Sequence, residues 1–127
     1  MPKKKYKIVA IDDDPNTLLL LEAILESHDF NLVLLNTNKN AVETIRKEKP
    51  DLILLDIMMP HDDGYTILNR VKADDAISNI PVVMVTALEL DGNKVLASIC
   101  GASAYVTKPI DRVSLINAIS RLLPDSV

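Results

Sequence analysis

Four groups of polar residues in this sequence could take part in one reaction. They supply carboxylates, a hydroxyl and a cation. In chain order they are Asp12-Asp13-Asp14, Asp56, Thr86 and Lys108. Several carboxylates without a neighbouring His or Cys form a hard oxygen site, which suits Mg²⁺ better than Zn²⁺ and admits Mn²⁺ as an alternative. Beside such an ion a carboxylate can attack phosphorus and form an acyl phosphate, while a lysine and a hydroxyl bind the phosphoryl oxygens. The set therefore predicts Mg²⁺-dependent phosphoryl transfer onto an aspartate.

Each of these residues also has an ordinary structural interpretation. The Asp triplet can form a turn and cap the following helix, Lys108 can be a solvated lysine, and Thr86 can be present for its β-propensity. Asp56 is different, because it follows the apolar run Leu52-Ile53-Leu54-Leu55 and would leave a charge at the end of a buried strand. A buried carboxylate gathered with others needs a cation or protons. The combination favours the functional interpretation.

Five short apolar runs rich in Val and Ile are the candidate strands. They span residues 7–11, 31–35, 52–55, 81–85 and 104–107. Three of them contain the sequences IVAI, LILL and VVMV, which are apolar at successive positions and do not alternate. This pattern is typical of strands buried on both faces of a parallel sheet, so helices should cover both faces.

Segments with helical spacing of apolar residues follow each run. Their apolar stripes are Leu18, Leu21, Ile24 and Leu25; Ala41, Val42 and Ile45; Ile67, Leu68 and Val71; Val95, Leu96 and Ile99; and Leu115, Ile116, Ile119, Leu122 and Leu123. Asp14-Pro15 and Asp111 are typical helix starts, and Gly101 is a typical helix end. The order predicts an α/β fold, (βα)₅, with an open, doubly wound, five-stranded parallel sheet and right-handed crossovers. Ligands of such sheets bind beyond the carboxyl ends of the strands, where all four polar groups stand.

Composition limits the class of protein. The chain has 127 residues and only three glycines, and we expect a single domain over residues 1–127 with a core of about 7–123. The formal net charge of −4 argues against direct nucleic-acid binding by this domain. One cysteine, Cys100, cannot close an intramolecular disulfide, and no apolar run is long enough for a membrane span or a signal peptide. These features predict a cytoplasmic protein that binds no membrane.

Four motifs at the predicted strand ends resemble those of the response-regulator receiver domain of two-component signalling. They are Val9-Ala10-Ile11-Asp12-Asp13-Asp14-Pro15; Asp51-Leu52-Ile53-Leu54-Leu55-Asp56-Ile57-Met58-Met59-Pro60 with Gly64; Val85-Thr86-Ala87; and Gly101-Ala102 with Tyr105-Val106-Thr107-Lys108-Pro109. The resemblance runs from about Lys7 to Leu123. It implies the flavodoxin-like receiver fold, in which Asp56 accepts a phosphoryl group from a histidine kinase or a histidine phosphotransfer protein.

The resemblance also implies the ligands of the metal. Asp13 would bind Mg²⁺ directly, and Asp12 would act through the metal or its water. The Met58 backbone carbonyl would be a further ligand, so this position needs no polar side chain. Asp56 would belong to the same metal site.

Other residues would hold the phosphoryl group and respond to it. Thr86 would donate a hydrogen bond to it, the Ala87 backbone amide would assist, and Lys108, whose bond to Pro109 is expected to be cis, would pair with it. On phosphorylation Thr86 would move inward and Tyr105 would fill the vacated space. The face made by the fourth helix, the fifth strand and the fifth helix would then change shape and control an output domain or a downstream protein.

The resemblance makes this chain a phosphoacceptor signalling domain with at most slow self-dephosphorylation, and not an enzyme in the ordinary sense. An alternative, a small aspartate-dependent phosphatase or phosphotransferase, would usually need an acid/base carboxylate two residues after the nucleophile, where Met58 stands. A second alternative, a pseudo-receiver that only docks partners, is disfavoured by the retained site residues. The sequence leaves open the kinase, the stimulus, the output, the phosphoryl lifetime, a phosphorylation-dependent homodimer and whether the domain stands alone or belongs to a longer protein.

Overall fold

The computed structural model describes residues 5–36, 39–56, 64–86 and 101–124. Five strands form one sheet: β1 (Lys7–Ile11), β2 (Asn31–Leu35), β3 (Leu52–Asp56), β4 (Val82–Thr86) and β5 (Ala104–Thr107). The described helices are α1 (Pro15–Glu26), α2 (Ala41–Glu48), α3 (Gly64–Lys72) and the C-terminal helix (Arg112–Leu122). The helix predicted around Val95, Leu96 and Ile99 lies outside the described residues, as does Cys100.

The sheet is doubly wound. Its strand order is β2-β1-β3-β4-β5, and every neighbouring pair is parallel. The chain adds β2 on one side of β1 and then crosses to β3 on the other side, so the direction of winding reverses between β1 and β3. Ligand sites of open α/β sheets lie at such a reversal, beyond the carboxyl ends of the strands. The fold class predicted from the sequence is confirmed.

The central strands are buried on both faces, as their consecutive apolar residues predicted. On one face, residues such as Val9, Ile53 and Met84 pack with the apolar stripes of α2 and α3. On the other face, residues such as Ile8 and Leu54 pack with α1 and the C-terminal helix. These two layers hold the sheet between helices, so that only its edges, among them the carboxyl edge where the parallel strands end, are not covered by the two helical layers.

Capping aspartates fix where two of the helices begin. The Asp14 Oδ1 atom accepts a hydrogen bond of 2.9 Å from the Asn16 backbone N–H, and Pro15 is the first residue of α1. The Asp111 Oδ2 atom likewise accepts a hydrogen bond of 2.9 Å from the backbone N–H of Ser114. Both helices therefore begin directly after the capping aspartate that the sequence predicted, within five residues of a strand end.

Lys72, the last residue of α3, joins the connection before β4 to the turn before β5. Its Nζ atom donates hydrogen bonds to the carbonyl oxygens of Ser78 at 3.1 Å and Ile80 at 2.9 Å. Burial lowers the pKa of this lysine. Gly101 has a φ of +98°, and a Cβ atom there would lie 3.2 Å from the Lys72 Cγ. The left-handed backbone therefore favours glycine at this position, and the close lysine stem leaves little room for a side chain.

The first and last parts of the described chain meet at the amino-terminal end of β1. The Tyr6 hydroxyl donates a hydrogen bond of 2.9 Å to the carbonyl oxygen of Pro124. The backbone carbonyl of Tyr6 accepts a second bond of 2.9 Å from the Asn31 N–H. Tyr6 thereby links β1, β2 and the residues that follow the C-terminal helix.

None of the described helices has the length and apolar character that crossing a bilayer requires. The cytoplasmic location predicted from the sequence stays a prediction.

Candidate functional site

Asp12 follows β1 directly and is buried at the carboxyl edge, with 1% of its surface exposed. Its backbone N–H donates a hydrogen bond of 3.0 Å to the Leu35 carbonyl of β2. Its Oδ1 atom accepts a hydrogen bond of 2.9 Å from the Asp14 backbone N–H. These two bonds fix the carboxylate and leave Oδ2 directed at other groups of the site.

Asp56 and Asp13 complete an acidic cluster with Asp12. Asp56 is the last residue of β3 and is 3% exposed, whereas Asp13 is exposed to solvent. One carboxylate oxygen from each of the three residues lies within 4.8 Å of the other two. The cluster exists because β1 and β3 are parallel neighbours, so that their carboxyl ends meet.

Lys108 supplies the cation of the site. Its Nζ atom lies 2.9 Å from Asp12 Oδ2 and 3.5 Å from Asp56 Oδ2. Burial by itself would lower the pKa of Lys108, but the close contact with Asp12 and the negative charges of Asp12 and Asp56 outweigh it, so the pKa is raised. Lys108 therefore stays an ammonium ion between two buried carboxylates. Its peptide bond to Pro109 is cis, as the resemblance implied.

The donor atoms of the cluster fit a hard divalent cation. Among the described residues three carboxylates face one ammonium, which leaves an excess of negative charge where two of the carboxylates are buried. Within the described part of the chain, no group donates a hydrogen bond of ordinary geometry to Asp12 Oδ2, so its contact with Lys108 is an ion pair. Oxygen donors alone suit Mg²⁺ or Mn²⁺. Asp12, Asp13 and Asp56 are thus able to hold such an ion.

Thr86 stands at the same edge of the sheet. It is the last residue of β4 and pairs in register with Thr107, one residue before Lys108. The neighbouring residue Val85 is level with Asp56. The position of the Thr86 hydroxyl lies outside what the structure describes, as do Ala87 and Met58, which were expected to bind the phosphoryl group and the metal through their backbones.

Tyr105 lies on β5, level with Met84 of β4. It is half-buried and packs against the core that α2 and α3 cover. The structure thus places this side chain at the outer margin of the sheet, on the strand that leads to Lys108. It shows a single arrangement of the residue, so the predicted switching of Tyr105 stays a prediction.

A surface that the sequence interpretation missed adjoins Lys108. It is an apolar groove of about 420 Å³ lined by Leu20 of α1 and by Pro109 and Ile110. Leu19, Leu20 and Val113 are large apolar side chains that are 63%, 42% and 64% exposed, and Leu20 is the one of them that lines this groove. The signal was present in the run of four leucines at 18–21, because the buried stripe of α1 uses only the first and the last of them.

Comparisons with known proteins agree on one family. The family model of the response regulator receiver domain matches residues 8–120. Protein PilH of Pseudomonas aeruginosa is 34% identical over 117 residues, which are 92% of this chain and 97% of PilH. Response regulator PleD of Caulobacter vibrioides is 36% identical over 116 residues, which are 91% of this chain and 26% of PleD. The chain therefore spans nearly all of one relative and about a quarter of another.

A solved structure shares the fold. It is the receiver domain of the sensor histidine kinase PA1611 from Pseudomonas aeruginosa, which has a magnesium ion coordinated in its active site cleft. The TM-score is 0.84 and the sequence identity is 26%, over 94% of this chain and 98% of that one.

Proposed function

This chain belongs to the response regulator receiver domain family of two-component signalling, and we propose that Asp56 is the residue that accepts its phosphoryl group. The observation that carries the proposal is the meeting of three carboxylates and one ammonium at the carboxyl edge, where β1 and β3 end. A phosphoryl group carries several negative oxygens, so its acceptor needs cations close by. This site offers Lys108 and a place for a divalent ion.

The three carboxylates are not equivalent, and the differences favour Asp56 as the nucleophile. Asp12 is already engaged, because its Oδ1 accepts the Asp14 N–H and its Oδ2 is the nearer partner of Lys108, at 2.9 Å. Asp13 is exposed, and a hydrated carboxylate is a weaker nucleophile. Asp56 is buried and lies 3.5 Å from the ammonium, close enough for the lysine to pair with the oxygens of a phosphoryl group on Asp56.

The proposed transfer is a single exchange of bonds. A carboxylate oxygen of Asp56 forms a P–O bond as the P–N bond of a donor phosphohistidine breaks. The electron pair of that bond stays on the imidazole nitrogen, which then takes up a proton. Lys108 keeps its proton throughout, because its pKa is raised, and it pairs with the phosphoryl oxygens.

We assign the metal to the acidic cluster. Asp12, Asp13 and Asp56 would hold Mg²⁺, or Mn²⁺ as an alternative, and the Met58 carbonyl would be a further ligand. When bound, the ion supplies neutralisation and orientation of the phosphoryl oxygens. The support is the all-oxygen donor set and the Asp12 Oδ2 atom that lacks a well-aligned hydrogen-bond donor among the described residues. The PA1611 receiver, with its coordinated magnesium, adds support by similarity.

The same proposal covers the response to phosphorylation. Thr86 and the backbone amide of Ala87 would bind the phosphoryl group, and Tyr105 would move as Thr86 is drawn inward. The β5 surface would then take a second shape, which an output domain or a downstream protein distinguishes from the first. The support is the position of Thr86 at the end of β4 and of Tyr105 on the adjacent strand.

The donor would be a histidine kinase or a histidine phosphotransfer protein, and we place its docking surface at the apolar groove beside Lys108. A donor must bring its phosphohistidine to Asp56, so it has to cover the surface around the site. Leu20, Pro109 and Ile110 supply apolar area there that a protein can bury and a small phosphodonor does not use. Leu20→Lys should therefore slow labelling by a phosphorylated phosphotransfer protein and leave labelling by acetyl phosphate unchanged.

We propose one receiver domain over residues 1–127 that acts as a phosphoacceptor with slow self-dephosphorylation and not as a turnover enzyme. The match to PilH over 97% of its length supports a domain of this size, and the match to 26% of PleD shows the same domain within a longer relative. An aspartate-dependent phosphatase would usually need an acid/base carboxylate two residues after the nucleophile, and Met58 occupies that position in this chain.

The test is the intact mass of the protein after incubation with Mg²⁺ and acetyl phosphate. The wild type should gain one phosphoryl group, and Asp56→Asn or a chelator should abolish the gain. Asp14→Asn is the matched control, because it makes the same change two residues from Asp12, at an exposed helix cap where asparagine serves equally well. Equal labelling of Asp56→Asn and the wild type would reject Asp56 as the acceptor.

A further inference from the structure

β5 is the outer strand of the sheet as far as the structure describes it, and one side of its backbone faces away from β4. The Ser103 N–H donates a hydrogen bond of 2.8 Å to the Val82 carbonyl, so Ser103 points toward β4. Backbone groups alternate in direction along a strand, and those of Ala104 and Val106 therefore point away from β4. An outward row of N–H and C=O groups is a template for another extended chain.

A groove of about 490 Å³ runs along this outward side of β5. Its other wall is one stripe of the C-terminal helix, formed by Ser114, Asn117, Ala118 and Arg121. These residues are spaced as neighbours on a helix face and lie beside the buried stripe of Leu115 and Ile119. The small side chain at Ala118 leaves room between the helix and the strand, and the polar neighbours suit a peptide backbone.

Arg121 gives the groove a positive charge. It is the only charged residue among the described residues that line the groove, and it is exposed. Within the described ranges no carboxylate forms an ion pair with it. A guanidinium with no carboxylate partner among the described residues, beside a strand edge that no described strand pairs with, favours an acidic partner over a second copy of this chain, whose net charge is −4.

We propose that this groove binds an extended acidic peptide segment of a partner protein, which adds to the outer edge of β5 and places a carboxylate on Arg121. The backbone groups of Ala104 and Val106 supply the strand pairing, and the helix stripe supplies the selection by charge. The inference rests on the proposed function in one respect, because it assigns the acidic segment to the output partner that the phosphorylation switch controls. Tyr105 lies between the two pairing residues, so a change at Tyr105 alters the edge on which the segment lies.

The experiment uses three acetylated and amidated six-residue peptides that alternate valine with threonine. Two threonines are replaced by glutamate in the first peptide and by lysine in the second, and the third is unsubstituted. Binding to the full chain, with and without beryllofluoride and Mg²⁺, is followed by amide chemical shifts and by titration calorimetry. The acidic peptide should bind about tenfold more tightly than the lysine peptide. The largest shifts should fall on Ala104 and Val106.

Two variants test the two parts of the site. Arg121→Glu should reverse the order of the acidic and lysine peptides, whereas Arg112→Glu, the same change on the same helix at a residue bonded to Ser27, should not. Ala104→Pro removes an outward donor at an edge position that tolerates proline, and it should weaken all three peptides. Equal binding of the acidic and lysine peptides, or shifts confined to other residues, would overturn the proposal.

Labelling by acetyl phosphate separates this inference from the proposed function. If every variant gains one phosphoryl group but the acidic peptide does not bind, the groove assignment fails and the phosphoacceptor stands. If Asp56 is never labelled, the proposed function fails whatever the peptides do. A concentration-dependent dimer in sedimentation that Ala104→Pro abolishes would show that the edge takes a second copy of the chain, which also overturns the proposal.

Discussion

Lysine and carboxylate groups meet at both ends of the sheet, but in different proportions. At the amino edge, Lys7 Nζ lies 3.2 Å from Glu48 Oε1 and 3.3 Å from the Glu48 carbonyl oxygen. The backbone N–H of Lys7 also donates a hydrogen bond of 2.8 Å to Asp51 Oδ2. Each carboxylate there has a donor of its own, and the Lys7 and Glu48 side chains are 36% and 27% exposed.

At the carboxyl edge, carboxylates outnumber ammonium groups among the described residues. Lys108 is the ammonium beside Asp12 and Asp56, whose side chains are 2% and 4% exposed, and Asp13 adds a third carboxylate. The residue types are the same as at the amino edge. An ion pair with matched partners and water contact therefore stabilises the fold, whereas buried carboxylates in excess destabilise the chain unless they bind a cation or a phosphoryl group with its metal.

The largest difference should come from Lys108→Met. Removal of the ammonium takes away the cation that two buried carboxylates share, so the free energy of unfolding in magnesium-free buffer should fall by about 3 kcal/mol. Added Mg²⁺ should restore a large part of this loss. Urea titrations with and without Mg²⁺ measure both effects. A loss below about 0.5 kcal/mol would mean that the carboxylates are neutralised by protons or water, and the contrast between the edges would fail.

Metal binding should give the next largest effect. Mg²⁺ at a hundredfold excess over its Kd should raise the free energy of unfolding of the wild type by about 2.7 kcal/mol. Asp13→Asn should lose most of that increase, while its metal-free form should be about 0.5 kcal/mol more stable than the metal-free wild type because one repulsion is gone. Thermal unfolding with a Mg²⁺ series, with Asp14→Asn as control, measures both changes. Destabilisation of metal-free Asp13→Asn would contradict the charge-excess interpretation.

Lys7→Met should have a smaller effect, because both side chains of its ion pair are partly exposed to water. We expect a loss of at most about 1 kcal/mol in the free energy of unfolding, with no response to Mg²⁺ and normal labelling by acetyl phosphate. The same urea titrations make the comparison with Lys108→Met direct. If both variants lost equal stability, the two edges would have to be regarded as equivalent.

The smallest effect should be the pH dependence of the Lys108 contribution. The folded pKa of Lys108 lies above its ordinary value of 10.5, so its stabilisation is fully present below 10.5 and is lost as pH rises through the folded pKa. The stability difference between the wild type and Lys108→Met should therefore be constant from about pH 7 to pH 10 and decrease at higher pH. Urea midpoints across this range test the sign. A difference that grew with pH would reject the raised pKa.

Much of the sheet could be predicted because the apolar runs are short and sharply bounded. β1, β2 and β5 have the predicted bounds. β4 begins at Val82 and not at Pro81, because proline lacks an N–H for the ladder, although its carbonyl still accepts a hydrogen bond of 3.0 Å from Ile53. β3 and β4 each continue to a polar residue, since strand pairing depends on the backbone and not on hydrophobicity.

The acidic cluster could also be predicted from the sequence, since the ends of parallel strands must meet at one edge. Contacts that depend on how distant segments align could not be predicted in this way. Lys7 and Glu48 are 41 positions apart, and their pairing follows from the path between α2 and β3. The closer approach of Lys108 to Asp12 than to Asp56 depends on one side-chain rotamer, which no spacing encodes.

The hydrogen bond between Tyr6 and Pro124 brings the first strand and the residues after the C-terminal helix within one side chain of each other. A circular permutant that joined these two points by a short glycine-serine linker, and opened elsewhere in an exposed connection, would keep every strand neighbour of the sheet. Domains fused before β1 or after the C-terminal helix would leave from the same side of the molecule. They would leave from the end of the sheet opposite to the acidic cluster.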